Sequence, residues 1–271
     1  VPEILKVIIL GIIEGLTEFL PISSTGHLIV ATALLHFSGT LGGTFEIFIQ
    51  LGAVVAVMVY FFGEFVQQLR SIRRDPQVRR LWTALVIAFL PAGVIGVLFG
   101  ETIKAALFNP VVVAITLILG GIVFIVEERA HIAERASTHR EGDITPKQAL
   151  VVGLAQTIAL IPGISRSGAS IVGGMFVGLD RTLATKFSFF LAVLTLGPAT
   201  LYDLLKNLDH IQSNDMLNLG VGALVSGIVA WFSIRWLLRY VATNSFTAFG
   251  YYRIIAGLLI LVLAAAGTFT A

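Results

Sequence analysis

Between Glu14 and His27 the chain reads EGLTEFLPISSTGH, which sets two acids, a run of hydroxyls and an imidazole inside an otherwise apolar stretch. No other feature restricts the fold as tightly. Ionisable groups at bilayer depth are rare, face protein-lined or wet cavities, and point to function. Glu14 and Glu18 are four residues apart, so a helix carries both on one face. Pro21 ends that helix, because it lacks an N–H and clashes with the preceding turn, and the hydroxyls after it are natural N-caps for a new helix starting near Gly26. The acids and the new helix start are therefore expected to meet at the break.

A second stretch answers the first. Laying residues 11–30 over 153–172 pairs Gly11 with Gly153, Ile22 with Ile164, Ser23 with Ser165, Gly26 with Gly168, Ile29 with Ile171 and Val30 with Val172. This is a diverged internal repeat. Glu14 falls on Gln156, Glu18 on Leu160, Ser24 on Arg166 and His27 on Ala169, so one copy holds acids and imidazole while the other holds a guanidinium.

A mean hydropathy of +0.93, with 56% hydrophobic and 13% charged residues, lies outside the globular range and indicates an integral membrane protein. Apolar segments fall near 4–20, 26–37, 44–63, 82–100, 108–126, 147–161, 168–179, 183–204, 217–238 and 247–269. A crossing needs about 20 apolar residues, so 26–37 and 168–179 are too short to span comfortably. The expected fold is an all-α integral membrane protein, a single membrane domain over 1–271, with two Pro-broken re-entrant helical hairpins and six transmembrane helices. Each repeat, about 4–126 and about 147–269, is one hairpin followed by three full crossings. That odd number inserts the second copy upside down, as in inverted-topology repeats whose sites lie where broken helices meet. The polar stretch from about Glu127 to Pro146 reads as a connection. The chain opens on apolar residues that run straight into the first motif, which argues against a cleaved signal peptide.

The loops orient this scheme. Arg70, Arg73, Arg74, Arg79, Arg80, Arg129, Arg135, Arg140, Lys147, Arg181, Lys186, Arg235, Arg239 and Arg253 fall on one side, against little more than Lys104 and Lys206 on the other. The basic side is then cytoplasmic and both termini lie outside. No basic stripe interleaved with aromatics suggests a nucleic-acid partner. The absence of cysteine excludes thiolate chemistry and sulfur-ligated metals.

Glu14 and Glu18 suit either a hard divalent cation, Mg²⁺ or Ca²⁺, or a base that activates a nucleophile. His27, in the first turn after the break, suits a nucleophile or proton carrier, whereas His36, His131, His139 and His210 fall near helix ends or in loops. Arg166, in an intramembrane Gly/Ser turn, needs an anionic partner. It is either an ion-pair partner of Glu14 or Glu18, or a planar fork for phosphate oxygens. In the second case Ser165, Ser167 and the N–H groups of the next helix complete a cradle. The nucleophile stays open among His27, Ser24, Thr25 and water, with His27 preferred. Inverted repeats with broken helices equally suit a secondary transporter or flippase for an anionic or lipid-linked substrate.

At these two motifs the chain resembles the undecaprenyl-diphosphate phosphatase family, also called bacitracin-resistance proteins. The likeness rests on the acidic ExxxE pattern at Glu14 and Glu18, the SSTGH run from Ser23 to His27, and the PGxSRSxxT pattern from Pro162 to Ser170, where Ser replaces the usual Thr. The resemblance implies hydrolysis of undecaprenyl diphosphate to the monophosphate carrier. It implies catalytic Glu14, Glu18, His27 and Arg166, and substrate-binding Ser23, Ser24, Thr25, Ser165, Ser167 and Ser170. It further implies a divalent metal held by Glu14 and Glu18, a homodimer, and a multi-pass protein of the bacterial plasma membrane whose site opens to the periplasmic or outer face.

Overall fold

A computed structural model describes residues 2–37, 44–207 and 215–269. Among them the chain is helical: α1 Glu3–Thr17, α2 Ser24–Leu34, α3 Thr44–Tyr60, α4 Phe62–Ser71, α5 Pro76–Leu107, α6 Pro110–Arg129, α7 Pro146–Thr157, α8 Arg166–Phe176, α9 Arg181–Asn207, α10 Asp215–Val241 and α11 Thr247–Ala265. Three of these starts share one device. Asp75, Asn109 and Thr145 cap α5, α6 and α7 by accepting the N–H of Gln77, Val112 and Gln148, and a proline occupies the first turn of each helix, where its missing N–H costs nothing.

Five helices are long and apolar enough to cross a membrane, or six if the bent pair α3–α4 counts as one span, as expected of a multi-pass membrane protein. The bend corrects the expected uninterrupted span over 44–63. The chain turns by 65° at Phe61, and the arginine-bearing segment read as a loop continues as α4. That helix is amphipathic. Its Gln68 is buried and accepts from the Trp82 indole at 3.1 Å, which anchors it against α5. Helix α5 also overruns the expected 82–100 at both ends, because its cap lies at Asp75 and Pro91 does not stop it.

The long helices pack in a reciprocal pattern. α1 lies along α10 as α7 lies along α5; α3 meets α9, and α6 runs along α11. Small residues make the approach close: a Cβ on Gly52 of α3 would collide with the backbone of Ala223 in α10. The largest apolar core joins Phe19 and Val57 to Leu85, Phe187, Phe190 and Phe246, residues contributed by both halves of the chain. The connection after α6 is tied down as well, through a bridge between Thr138 and Leu179 and the Ser137 N–H donated to Gly178 O at 2.9 Å.

Candidate active site

Both Pro-containing breaks are present and share a backbone signature. After α1 the chain turns through Phe19 to Ile22, and Ser23 takes φ +70° before α2 begins; after α7 it turns through Pro162 and Gly163, and Ser165 takes φ +72° before α8 begins. A left-handed conformation is uncommon for a residue with a Cβ and persists only where its surroundings impose it. Gly163 itself sits at φ +89°, where a Cβ would also meet the Thr116 hydroxyl and the Val113 backbone. The new helices begin at Ser24 and Arg166, slightly earlier than the expected starts near 26 and 168.

The breaks meet each other. Ser167 Oγ donates to the carbonyl of Leu20 at 3.0 Å, and Arg166 places Nε and Nη2 each 3.4 Å from Glu18 Oε1, with Nη1 on the carbonyl of Ser188 at 3.1 Å. The other Glu18 oxygen accepts the Ser24 hydroxyl at 2.7 Å. A hydroxyl, a carboxylate and a guanidinium thus form one chain across the two halves. The contacts to Arg166 are long for charge-assisted bonds, so the fork is held loosely while Ser24–Glu18 is tight.

Glu14 is almost wholly buried, and its Oε1 has no hydrogen-bond partner. The charges of Glu18, Glu46 and Arg166 all act on it. An orphaned buried carboxylate oxygen is expensive unless something binds it. The oxygen donors of Glu14 and Glu18 fit a hard divalent cation that takes its remaining ligands from phosphate and water. Among the described residues, however, no three acidic, His or Cys side chains gather into a ready-made cage. Gln156, the repeat counterpart of Glu14, is buried with both amide atoms unpartnered.

The remaining hydroxyls divide by role. Ser165 caps α8 by accepting the Gly168 N–H at 3.2 Å, and Ser170 bonds the Ser188 hydroxyl at 2.7 Å; with Ser167 they are buried and committed to the frame. Helix α2 differs. Its N-cap residue Ser23 makes no side-chain cap, and Thr25 forms no side-chain hydrogen bond among the described residues, so the first N–H groups of α2 stay available to an anion. His27 makes no hydrogen bond to either acid. Its ring nitrogens lie 2.8 Å from the Ser23 carbonyl and 2.6 Å from the Tyr252 hydroxyl.

Arg253, expected on the basic side with the loop arginines, is instead fully buried in α11. Its guanidinium donates to the carbonyls of Pro21 at 3.0 Å, Gly163 at 3.1 Å and Ile164 at 2.9 Å, with longer bonds to Thr116 and Leu117 at 3.4 Å. It staples one break to the other. Its place well inside the apolar segment 247–269 was the available signal, since an Arg there must find partners. Of the other histidines, His131 and His139 pair with Glu134 and Asp180 at 2.8 Å, the His36 carbonyl accepts Lys6, and His210 lies outside the described residues.

The sequence profile of bacitracin resistance protein BacA matches residues 7–259. Among curated proteins the chain is similar to the undecaprenyl-diphosphatase of Albidiferax ferrireducens, 48% identical over 98% of this chain and 97% of that one. It is also similar to the undecaprenyl-diphosphatase of Deinococcus radiodurans, 49% identical over 96% and 95%, and to that of Acidovorax ebreus, 48% identical over 98% and 97%.

Proposed function

The chain belongs to the bacitracin resistance protein BacA family, and from that membership we propose that it hydrolyses undecaprenyl diphosphate to undecaprenyl phosphate and inorganic phosphate. This would return the lipid carrier to cell-wall synthesis. The observation that carries the reading to named atoms is the Ser24–Glu18–Arg166 chain at the junction of the breaks. On this reading Ser24, and not the expected His27, is the nucleophile. Ser24 Oγ attacks the terminal phosphorus and gives its proton to Glu18, while the bond to the bridging oxygen breaks and undecaprenyl phosphate leaves. Water then attacks the phosphoserine. The Oγ–P bond breaks, Glu18 returns its proton to Oγ, and the water's proton passes to His27 Nε2.

Arg166 and the open N-terminus of α2 bind and orient the equatorial phosphate oxygens, and Arg166 stabilises charge on the transferring group. Thr25 and Ser23 flank that anion, while Ser165, Ser167 and Ser170 hold the α8 start that presents Arg166. Glu14 and Glu18 would hold a divalent cation, Mg²⁺ or Ca²⁺, which supplies neutralising charge on the diphosphate when bound.

The whole is read as one domain of two inverted repeats whose hairpins re-enter the bilayer. The matched backbone breaks and the reciprocal packing of α1 on α10 and α7 on α5 support that scheme. From the family resemblance we infer a multi-pass protein of the bacterial plasma membrane, a homodimer, with its site facing outward. The same architecture favours, as a second reading, a transporter for a lipid-linked anion. Phosphate release from undecaprenyl diphosphate by purified protein in detergent, with and without chelator, tests the assignment. Release that chelator suppresses supports it, and translocation without any phosphate release favours the second reading.

A further inference from the structure

Helix α11 delivers two adjacent side chains to the first break, and the staple made by Arg253 explains only one of them. The other, Tyr252, reaches His27. The phenol oxygen lies 2.6 Å from Nε2, and the two rings stack at an interplanar angle of 5° with centroids 5.6 Å apart. On the far side of the imidazole, Nδ1 is 2.8 Å from the carbonyl of Ser23.

These two contacts fix more than a position. A carbonyl oxygen only accepts, so Nδ1 must carry hydrogen. In the neutral ring Nε2 is then the lone pair, and the Tyr252 hydroxyl donates to it. The Ser23 carbonyl is itself aimed by a left-handed backbone at the break, and Arg253, next to Tyr252 on α11, holds the neighbouring Pro21 carbonyl. The imidazole is therefore clamped in one tautomer and one plane, by groups outside the acid and guanidinium cluster.

We propose that Tyr252 is a positioning residue of the diphosphatase reaction. It holds His27 as the Nδ1–H tautomer, with Nε2 presented as the acceptor for the proton of the hydrolytic water, and it yields that nitrogen when the water arrives. The tyrosine makes and breaks no covalent bond. This rests on the assignment of His27 to the reacting site under the proposed function, and its consequence is specific. Without the phenol, nothing at Nε2 selects the tautomer, although the Ser23 carbonyl still favours it and the fold is untouched.

The test pairs kinetics with nitrogen NMR of histidine-labelled protein in detergent, using His27→Ala to assign the ring signals. Tyr252→Phe is expected to lower kcat about tenfold with KM within about twofold, and to change the His27 Nε2 resonance from that of a hydrogen-bonded acceptor. Tyr251→Phe, which alters the exposed neighbour on the same helix, serves as the control and should change neither. Wild-type kcat and an unchanged Nε2 signal in Tyr252→Phe, with His27→Ala inactive, would overturn the role of Tyr252 alone. Full activity in His27→Ala would overturn the His27 assignment and this proposal with it.

Discussion

Arg166 is held by one carboxylate and one carbonyl, at 3.4 and 3.1 Å, in a setting where a lone point charge and a planar fork would behave differently. Lysine would keep the charge but has neither the reach in two directions nor the paired donors that match phosphate oxygens. Arg166→Lys should therefore fail to rescue Arg166→Ala, both falling at least about a hundredfold in kcat/KM. Activity of the lysine variant near the wild-type value would remove the clamp role. At this scale the sequence was informative about identity and less so about partners. The ExxxE spacing put Glu14 and Glu18 on one face, and both are buried at the junction. Which residue each would touch depended on long-range packing: the Ser24–Glu18 bond requires the chain to fold back at Pro21, and Tyr252 meets His27 from the far end of the sequence. Arg253 is legible as an intramembrane charge from its place inside the apolar run 247–269. The carbonyls it holds, at two breaks far away in sequence, come together only through packing.

The helices were legible wherever a start or stop has a local cause. Asp75-Pro76, Asn109-Pro110 and Thr145-Pro146 announce α5, α6 and α7, and Pro21 and Pro162 announce the breaks. The bend at Phe61 has no such announcement, because helical residues continue on both sides and the turn is set by α4 packing through Gln68 and by Lys186 reaching Glu64 at 2.7 Å. Close helix approach was visible only as an abundance of glycine. The contacts separate those that matter: Gly52 lies against the Ala223 backbone, whereas Gly63 has nothing within 4 Å of a Cβ. Gly52→Ala should destabilise the protein by about 1–3 kcal/mol through separation of α3 from α10. Gly63→Ala should be neutral or slightly stabilising. Thermal unfolding in detergent measures both, and equal midpoints for the two variants would contradict the packing account.

At the scale of the molecule, the two halves interlock: α1 packs on α10, α7 on α5, and each break supplies what the other lacks. If the halves are inserted in opposition, as proposed, the segments carrying Arg73 and Arg140 face the cytoplasm and that carrying Lys206 faces outward. The chain has no cysteine of its own, so single cysteines at these positions can be labelled cleanly in intact cells with an impermeant maleimide. Only position 206 should react; reaction at 73 or 140 would overturn the inverted arrangement. In the proposed reaction, the meeting of the two breaks makes Ser24 a nucleophile by setting it on Glu18 beside Arg166. Acid quenching of a reaction run with undecaprenyl diphosphate labelled in its terminal phosphate tests this most directly. An acid-stable adduct that maps to Ser24 and is absent from Ser24→Ala is expected, whereas an acid-labile adduct mapping to His27 would rule out attack by Ser24.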